Sequence, residues 1–179
     1  MSIRKRVDDE NVVVVDYNVL CRNERVLQLA ETNQGHLVAA TRSAIYLMCP
    51  VGSFCVLLVG HKSEVGFIDA CGHAARINTP GGIAIDDDNH SIFFTDSGNH
   101  CVRVVEMNHD NNTTTIVGTG KSGYANGSFS EAMFHIPLGI AIGRPGVLFV
   151  SDCLNNAVRR IVLNPRACLC VYVYRCFFV

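Results

Sequence analysis

Two stretches of this chain read alike, and a recurring unit constrains architecture more tightly than local propensity does, because each copy buries its faces against the next. The first runs Pro80-Gly81-Gly82-Ile83-Ala84-Ile85 and continues through Ile92-Phe93-Phe94-Thr95-Asp96-Ser97-Gly98-Asn99-His100-Cys101-Val102-Arg103-Val104-Val105. The second runs Pro137-Leu138-Gly139-Ile140-Ala141-Ile142, then Leu148-Phe149-Val150-Ser151-Asp152-Cys153-Leu154-Asn155-Asn156-Ala157-Val158-Arg159-Arg160-Ile161. The offset is 57 residues at the prolines and 56 at the aspartates, a single deletion in the intervening turn. Ten of the 25 positions of the second copy are identical to the first. The connecting segments repeat too: Val59-Gly60 matches Val117-Gly118, Gly66-Phe67 matches Gly123-Tyr124, and Ala75 matches Ala132. A worn third copy lies upstream, with apolar places at Val26–Ala30, Leu37–Ala40, Ile45–Met48 and Phe54–Gly60, a turn two residues shorter, and Thr41 where the others have Asp.

Within the complete unit the apolar segments are short, rich in Ile, Val, Phe and Thr, and separated by Gly, Asn and Asp clusters, the pattern of strands joined by tight turns. Strands are expected at about 82–86, 91–95, 101–107 and 114–118. No segment sustains the 3.6-residue period of a helix. Four-stranded units recurring at this spacing are expected to be blades of an all-β propeller, each a four-stranded antiparallel meander. A chain of 179 residues has room for one domain of about three such blades. The expected organisation is an extension over 1–25 and a repeat region over 26–179, with blades at about 26–60, 80–118 and 137–179. The short strand candidate at Val12–Val15 is expected to add an outer strand to the first blade.

The strings Pro80–Asp86, Phe93–Val105 and Ile116–Gly127, with Leu148–Ile161 in the second copy, resemble NHL repeats. The resemblance covers about residues 26–163 and is strongest from 80 to 161. It implies a propeller, open or closed, of a family that usually has about six blades, so that self-association is one way for three blades to complete a ring. It also implies a scaffold role. Some relatives bind single-stranded RNA on a basic face, and related propellers are metal-dependent lyases or lactonase-like hydrolases.

Composition narrows these options. Fifteen Lys and Arg against sixteen Asp and Glu leave a net charge of −1, which disfavours a strongly basic nucleic-acid binder or an acidic tail. A hydrophobic share of 49% with 17% charged residues supplies a core. The longest apolar run, Ala167–Tyr174, is far shorter than the roughly 20 residues of a membrane-spanning helix. Arg4, Lys5 and Arg6 are followed at once by Asp8, Asp9 and Glu10, so no export signal is read, and nine cysteines without a repeated spacing suit reduced thiols. Both point to a cytoplasmic protein. The sequons at Asn89, Asn111, Asn112 and Asn126 carry no weight there.

Six residues recur at fixed places: Asp96, Asn99 and Arg103, and again Asp152, Asn155 and Arg159. The expected role is structural: the Asp accepts backbone N–H groups in a tight turn, the Asn takes a left-handed conformation, and the Arg returns to the carboxylate from the next strand. No catalytic, cofactor-binding or metal-binding residue is assigned. His36, His61, His73, His90, His100, His109 and His135 form no ligand pair on one element, and Asp86-Asp87-Asp88-Asn89 lacks a calcium-loop spacing and reads as a solvated hairpin. Gly118-Thr119-Gly120-Lys121-Ser122-Gly123 lacks the P-loop spacing, and Cys153, Cys168, Cys170 and Cys176 contain no C-x-x-C pair. Residues 168–179 depart from the repeat; they either complete the third blade or are foreign to it, and Val171, Val173, Phe177 and Phe178 would need cover.

The expected function is a non-enzymatic interaction module that binds a protein partner through the loops at 61–79 and 119–136. The first alternative is RNA binding on the basic end, where Arg144, Arg159, Arg160, Arg166 and Arg175 face only Asp152 in the count. The second is a metal-dependent propeller enzyme.

Overall fold

The computed structural model describes residues 5–7, 13–15, 24–49, 54–88, 90–163 and 170–174. Three antiparallel four-stranded sheets follow one another along the chain. Blade 1 is β3 (Gln28–Glu31), β4 (Leu37–Ala40), β5 (Ala44–Met48) and β6 (Cys55–Gly60). Blade 2 is β7 (Pro80–Asp86), β8 (Ser91–Asp96), β9 (Cys101–Glu106) and β10 (Asn112–Val117). Blade 3 is β11 (Pro137–Ile142), β12 (Val147–Asp152), β13 (Ala157–Val162) and β14 (Cys170–Tyr174). Each is a meander in sequence order, as the strand-length apolar runs require. The strand β14 pairs with β13, Val158 opposite Tyr174, so the divergent end of the chain completes the third blade.

The extension does not join blade 1. Its strands β1 (Lys5–Val7) and β2 (Val13–Val15) pair with each other, and the fourth strand of blade 1 is β6. The segment after β5 supplies the fourth strand itself, so the outer place of the blade is filled from within the repeat.

Alternation along the central strands of blade 2 sends successive side chains to opposite neighbours. Ile92, Phe94 and Val105 pack with Val38, Ala40, Ile45, Val59, Ala75 and Ile77, which joins blade 2 to blade 1. Phe93, Val102 and Val104 pack instead with Val117, Ala132, Phe134, Leu148, Val150 and Ile161, which joins it to blade 3. Both faces of β8 are therefore buried, and full burial of a side chain such as Phe94 contributes about 1.5–3 kcal/mol.

The first strands of the blades lie side by side, with β7 against both β3 and β11. This approach is backbone to backbone: a Cβ on Gly82 would meet the Leu138 carbonyl and the Ile140 nitrogen. Glycine at that place follows from the blade spacing and not from a turn. Two hydroxyls seal the joint, Thr95 Oγ1 donating to the Leu138 carbonyl at 2.7 Å and Ser97 Oγ to the Pro137 carbonyl. At the opposite end the Asn33 N–H donates to Asp87 Oδ2 at 3.0 Å, so the acidic hairpin also ties blade 2 to blade 1.

Candidate functional site

The recurrent residues assemble into two buried centres of the same design. Asp96 ends β8 and begins a 3-10 turn over Ser97–Asn99, and Asp152 does the same before Cys153–Asn155. The backbone angles at the two aspartates agree within a few degrees, φ −90°, ψ 79° against φ −89°, ψ 83°. Register then brings the arginines home. Asp96 is opposite Cys101 and Phe94 opposite Arg103, so Arg103 shares the face of β8 that carries Asp96. Arg103 Nη1 donates to Asp96 Oδ2 at 2.9 Å, and Arg159 Nη1 to Asp152 Oδ2 at 2.6 Å; all four side chains are 0% exposed.

Each guanidinium also gathers the connector that precedes its blade. Arg103 donates to the carbonyls of Arg76 and Ile68, both at 2.7 Å. Arg159 donates to the equivalent carbonyls of Met133, at 2.9 Å, and Ala125. The aspartates complete the clamp from the other oxygen: Asp96 Oδ1 accepts the Asn78 N–H at 2.8 Å, Asp152 Oδ1 the His135 N–H at 2.7 Å. These N–H groups belong to the connectors and not to the tight turn in which the sequence pattern places them. Aromatic rings flank each cation, Phe67 and Phe94 at 5.5 and 5.9 Å from Arg103, Tyr124 and Phe134 at 5.3 and 4.7 Å from Arg159. Burial pushes the Asp96 carboxyl above the ordinary carboxylate range, against the downward pull of the donors Asn99, Asn78 and Arg103.

The asparagines act through their side chains. Asn99 Nδ2 donates to Asp96 Oδ2 at 2.8 Å and to the Gly66 carbonyl at 2.7 Å; Asn155 Nδ2 donates to Asp152 Oδ2 at 2.9 Å and to the Gly123 carbonyl at 2.8 Å. The left-handed residue expected there is the next one in each turn, His100 at φ 55° and Asn156 at φ 49°. The 3-10 turn occupies the asparagine itself, and its exit is what demands a positive φ.

The two centres differ at one partner. Asp69 accepts from Arg103 Nε at 3.1 Å and Nη2 at 2.7 Å. In the second centre Asn126 occupies that place, taking Arg159 Nη2 at 3.1 Å, and among the described residues the buried Arg159 Nε has no acceptor.

Blade 1 reaches a comparable end with other residues. Thr41 stands at the aspartate position and Tyr46 at the arginine position, since Thr41 lies opposite Ala44 in the same register. Both hydroxyls donate to Glu24, Thr41 Oγ1 at 2.7 Å and Tyr46 Oη at 2.6 Å. Nothing in the repeat pattern signals Glu24 or Tyr46. The usable sign is the hydroxyl at position 41, which removes the carboxylate and so calls for one from elsewhere.

The connectors at 61–79 and 119–136 divide between packing and exposure. Ala75, Ile77, Ala132 and Phe134 are fully buried between blades, so these loops are not wholly available as a surface. Val65, Phe67, Ile68, Tyr124 and Phe129 remain exposed. Of the arginines counted toward RNA, Arg159 is buried in its ion pair, Arg160 is half-buried and Arg144 is exposed in the β11–β12 turn. Arg166, Arg175, Cys168, Cys176, Phe177 and Phe178 lie outside the described residues. Among the described residues no group of three or more His, Cys, Asp or Glu is placed to hold a metal ion. No helix among them is long and apolar enough to cross a membrane.

The sheets are blades of a β-propeller, and the clamps between them are its repeated joints. Comparison with known proteins agrees. An auxiliary nutrient binding protein from Bacteroides thetaiotaomicron superposes with a TM-score of 0.66 at 18% identity, over 94% of this chain and 42% of that one. Virginiamycin B lyase from Staphylococcus aureus does so with a TM-score of 0.59 at 14% identity, over 96% of this chain and 47% of that one. At such identities the likeness is one of fold alone, and it includes an enzyme. No family model matches the chain. In sequence it is 32% identical over 112 residues to NHL repeat-containing protein 2 of Bos taurus, which takes in 62% of this chain and 15% of that protein. The repeats are similar to those of this NHL repeat-containing protein, and the chain spans about 15% of its length.

Proposed function

We propose that the chain is a non-enzymatic interaction module that binds a protein partner through the connectors between its blades. The observation that supports this reading is the double character of those connectors. Buried residues and the Arg103 and Arg159 clamps hold their backbones, while Val65, Phe67, Ile68, Tyr124 and Phe129 stand 39–53% exposed along them. Large apolar side chains on a backbone that is already held lose little freedom on binding, which is how interface anchors gain affinity. The recurring charged residues Asp96, Arg103, Asp152 and Arg159 meanwhile face each other inside the joints.

The test begins with co-purification of partners on the full tagged chain, followed by calorimetric titration of a recovered protein, made separately, against wild type and an Ile68→Ser/Phe129→Ser variant. A loss of about tenfold or more in affinity with an unchanged circular dichroism spectrum is expected. Equal affinity for the variant, or absence of any saturable partner, overturns the reading.

A further inference from the structure

At the end of the blades that carries the Asp96 turn there is an open cavity of about 530 Å3. Its walls are the segment entering blade 1, with Glu24, Arg25 and Leu27; the β4–β5 turn, with Thr41, Arg42 and Ser43; and the next connector, with Lys62, Ser63 and Val65. The turn is held in place from both sides, because the Thr79 N–H donates to the Arg42 carbonyl at 2.7 Å and the His61 N–H to the Ser43 carbonyl at 3.0 Å.

Charge distinguishes this cavity from the joints between the blades. Arg76 is paired with Glu64, Arg103 with Asp69 and Asp96, and Arg159 with Asp152. Arg25, Arg42 and Lys62 are all exposed, and among the described residues none of them has a carboxylate partner. Among the described residues the one carboxylate lining the cavity, Glu24, has both oxygens engaged by Thr41 and Tyr46. Three cations around one concave surface focus a positive potential into it. Leu27 and Val65 add apolar wall, and among the described residues no aromatic ring lines the space.

We propose that this cavity is the docking site for an acidic segment of a protein partner, with carboxylates on Arg25, Arg42 and Lys62 and an aliphatic side chain against Leu27 and Val65. The proposal rests on the reading of the chain as a protein-binding module and adds a place and a chemistry to it. Single-stranded RNA is the competing polyanion. Its binding draws on bases stacked on aromatic rings, whereas the apolar wall here is aliphatic and suits a side chain such as Leu or Val.

The probes are a fluorescein-labelled peptide of alternating Glu and Leu, its Gln-for-Glu counterpart and a fluorescein-labelled oligouridine, followed by fluorescence anisotropy with the full chain at low and moderate salt. The acidic peptide should bind, weaken with salt, and exceed the Gln peptide by about tenfold or more. Arg42→Glu and Lys62→Glu should each weaken it by a similar factor, with Lys121→Glu, on the other connector, unchanged. Arg42→Ala and Lys62→Ala serve as milder variants if either reversal perturbs folding, and should weaken binding in the same direction. Equal binding of the Gln peptide, insensitivity to these variants, or no binding of the acidic peptide overturns the site. So does tighter binding of oligouridine with the same variant dependence, which would make it an RNA site. If the peptide fails while the Ile68→Ser/Phe129→Ser variant still loses its partner, the cavity alone is refuted. If the peptide binds and no protein partner depends on the connectors, the broader reading fails instead.

Discussion

Arg103 and Asp96 stand seven residues apart and meet at 2.9 Å, with both side chains at 0% exposure, and Arg159 and Asp152 repeat the relationship at 2.6 Å. A buried ion pair of this kind is expensive to break from one side, because the remaining charge stays out of water. Arg103→Met strands Asp96 and also removes the donors to the Ile68 and Arg76 carbonyls. The expected cost is about 3–5 kcal/mol, or a fall in melting temperature of roughly 6–20 °C for a chain of this size. Asp69→Asn, at a side chain 44% exposed, should cost under about 1 kcal/mol. Thermal melts of the two variants check the ranking, and an Arg103→Met curve that overlays wild type would remove the clamp from the account.

Asn126→Asp should stabilise the joint between blades 2 and 3. It places a carboxylate where Asp69 stands in the other joint, beside the unpartnered Arg159 Nε. A gain of about 1 kcal/mol is expected, seen as a rise of about 2–4 °C in melting temperature. A fall would count against an unmet donor at Arg159 Nε.

The joint between blades 2 and 3 should weaken in mild acid. His100 Nδ1 accepts the Ile136 N–H at 3.2 Å and can do so only while that nitrogen carries no proton. Burial and the neighbouring His135 ring, 5.7 Å away, lower the His100 pKa from the usual 6.5, with Asp152 pulling the other way. The folded state therefore takes up the proton less readily than the unfolded one. Its contribution is fully present above 6.5 and is lost as pH falls from there through the lowered folded value. His100→Asn, which keeps a residue suited to the left-handed turn as at Asn156, should flatten this dependence. Melting temperatures of both proteins across that range decide it; parallel curves would assign the acid sensitivity to other groups.

Cysteine reactivity reports on the same packing. Cys71 and Cys153 are exposed, whereas Cys101 is buried and its thiol is held protonated well above the usual range, by burial first and by nearby Asp96 second. Brief treatment of the native protein with iodoacetamide should modify Cys71 and Cys153 and spare Cys101 until denaturant is added. Peptide mass spectrometry reads the difference, and equal labelling of Cys101 would mean that blade 2 opens on the timescale of the reaction.

Most of the fold is legible in the repeat. The spacing of Asp96, Asn99 and Arg103, repeated in Asp152, Asn155 and Arg159, marked the residues that form the joints. Their partners were not legible, since Asn78, His135, Ile68 and Ala125 bond to the clamps through backbone atoms, on which residue type leaves no trace. Glu24 escaped for another reason: blade 1 satisfies Thr41 and Tyr46 with a different residue at a different distance along the chain.

Short strands in recurring sets of four are written locally along the chain, because alternation and turn residues act within a few positions of one another. Which connector each arginine holds, the pairing of β1 with β2, and the convergence of Arg25, Arg42 and Lys62 on one cavity are set by the folded chain. Those outcomes depend on contacts between residues far apart in the chain, where the geometry of one blade against the next sets the distances and local spacing carries no record of them.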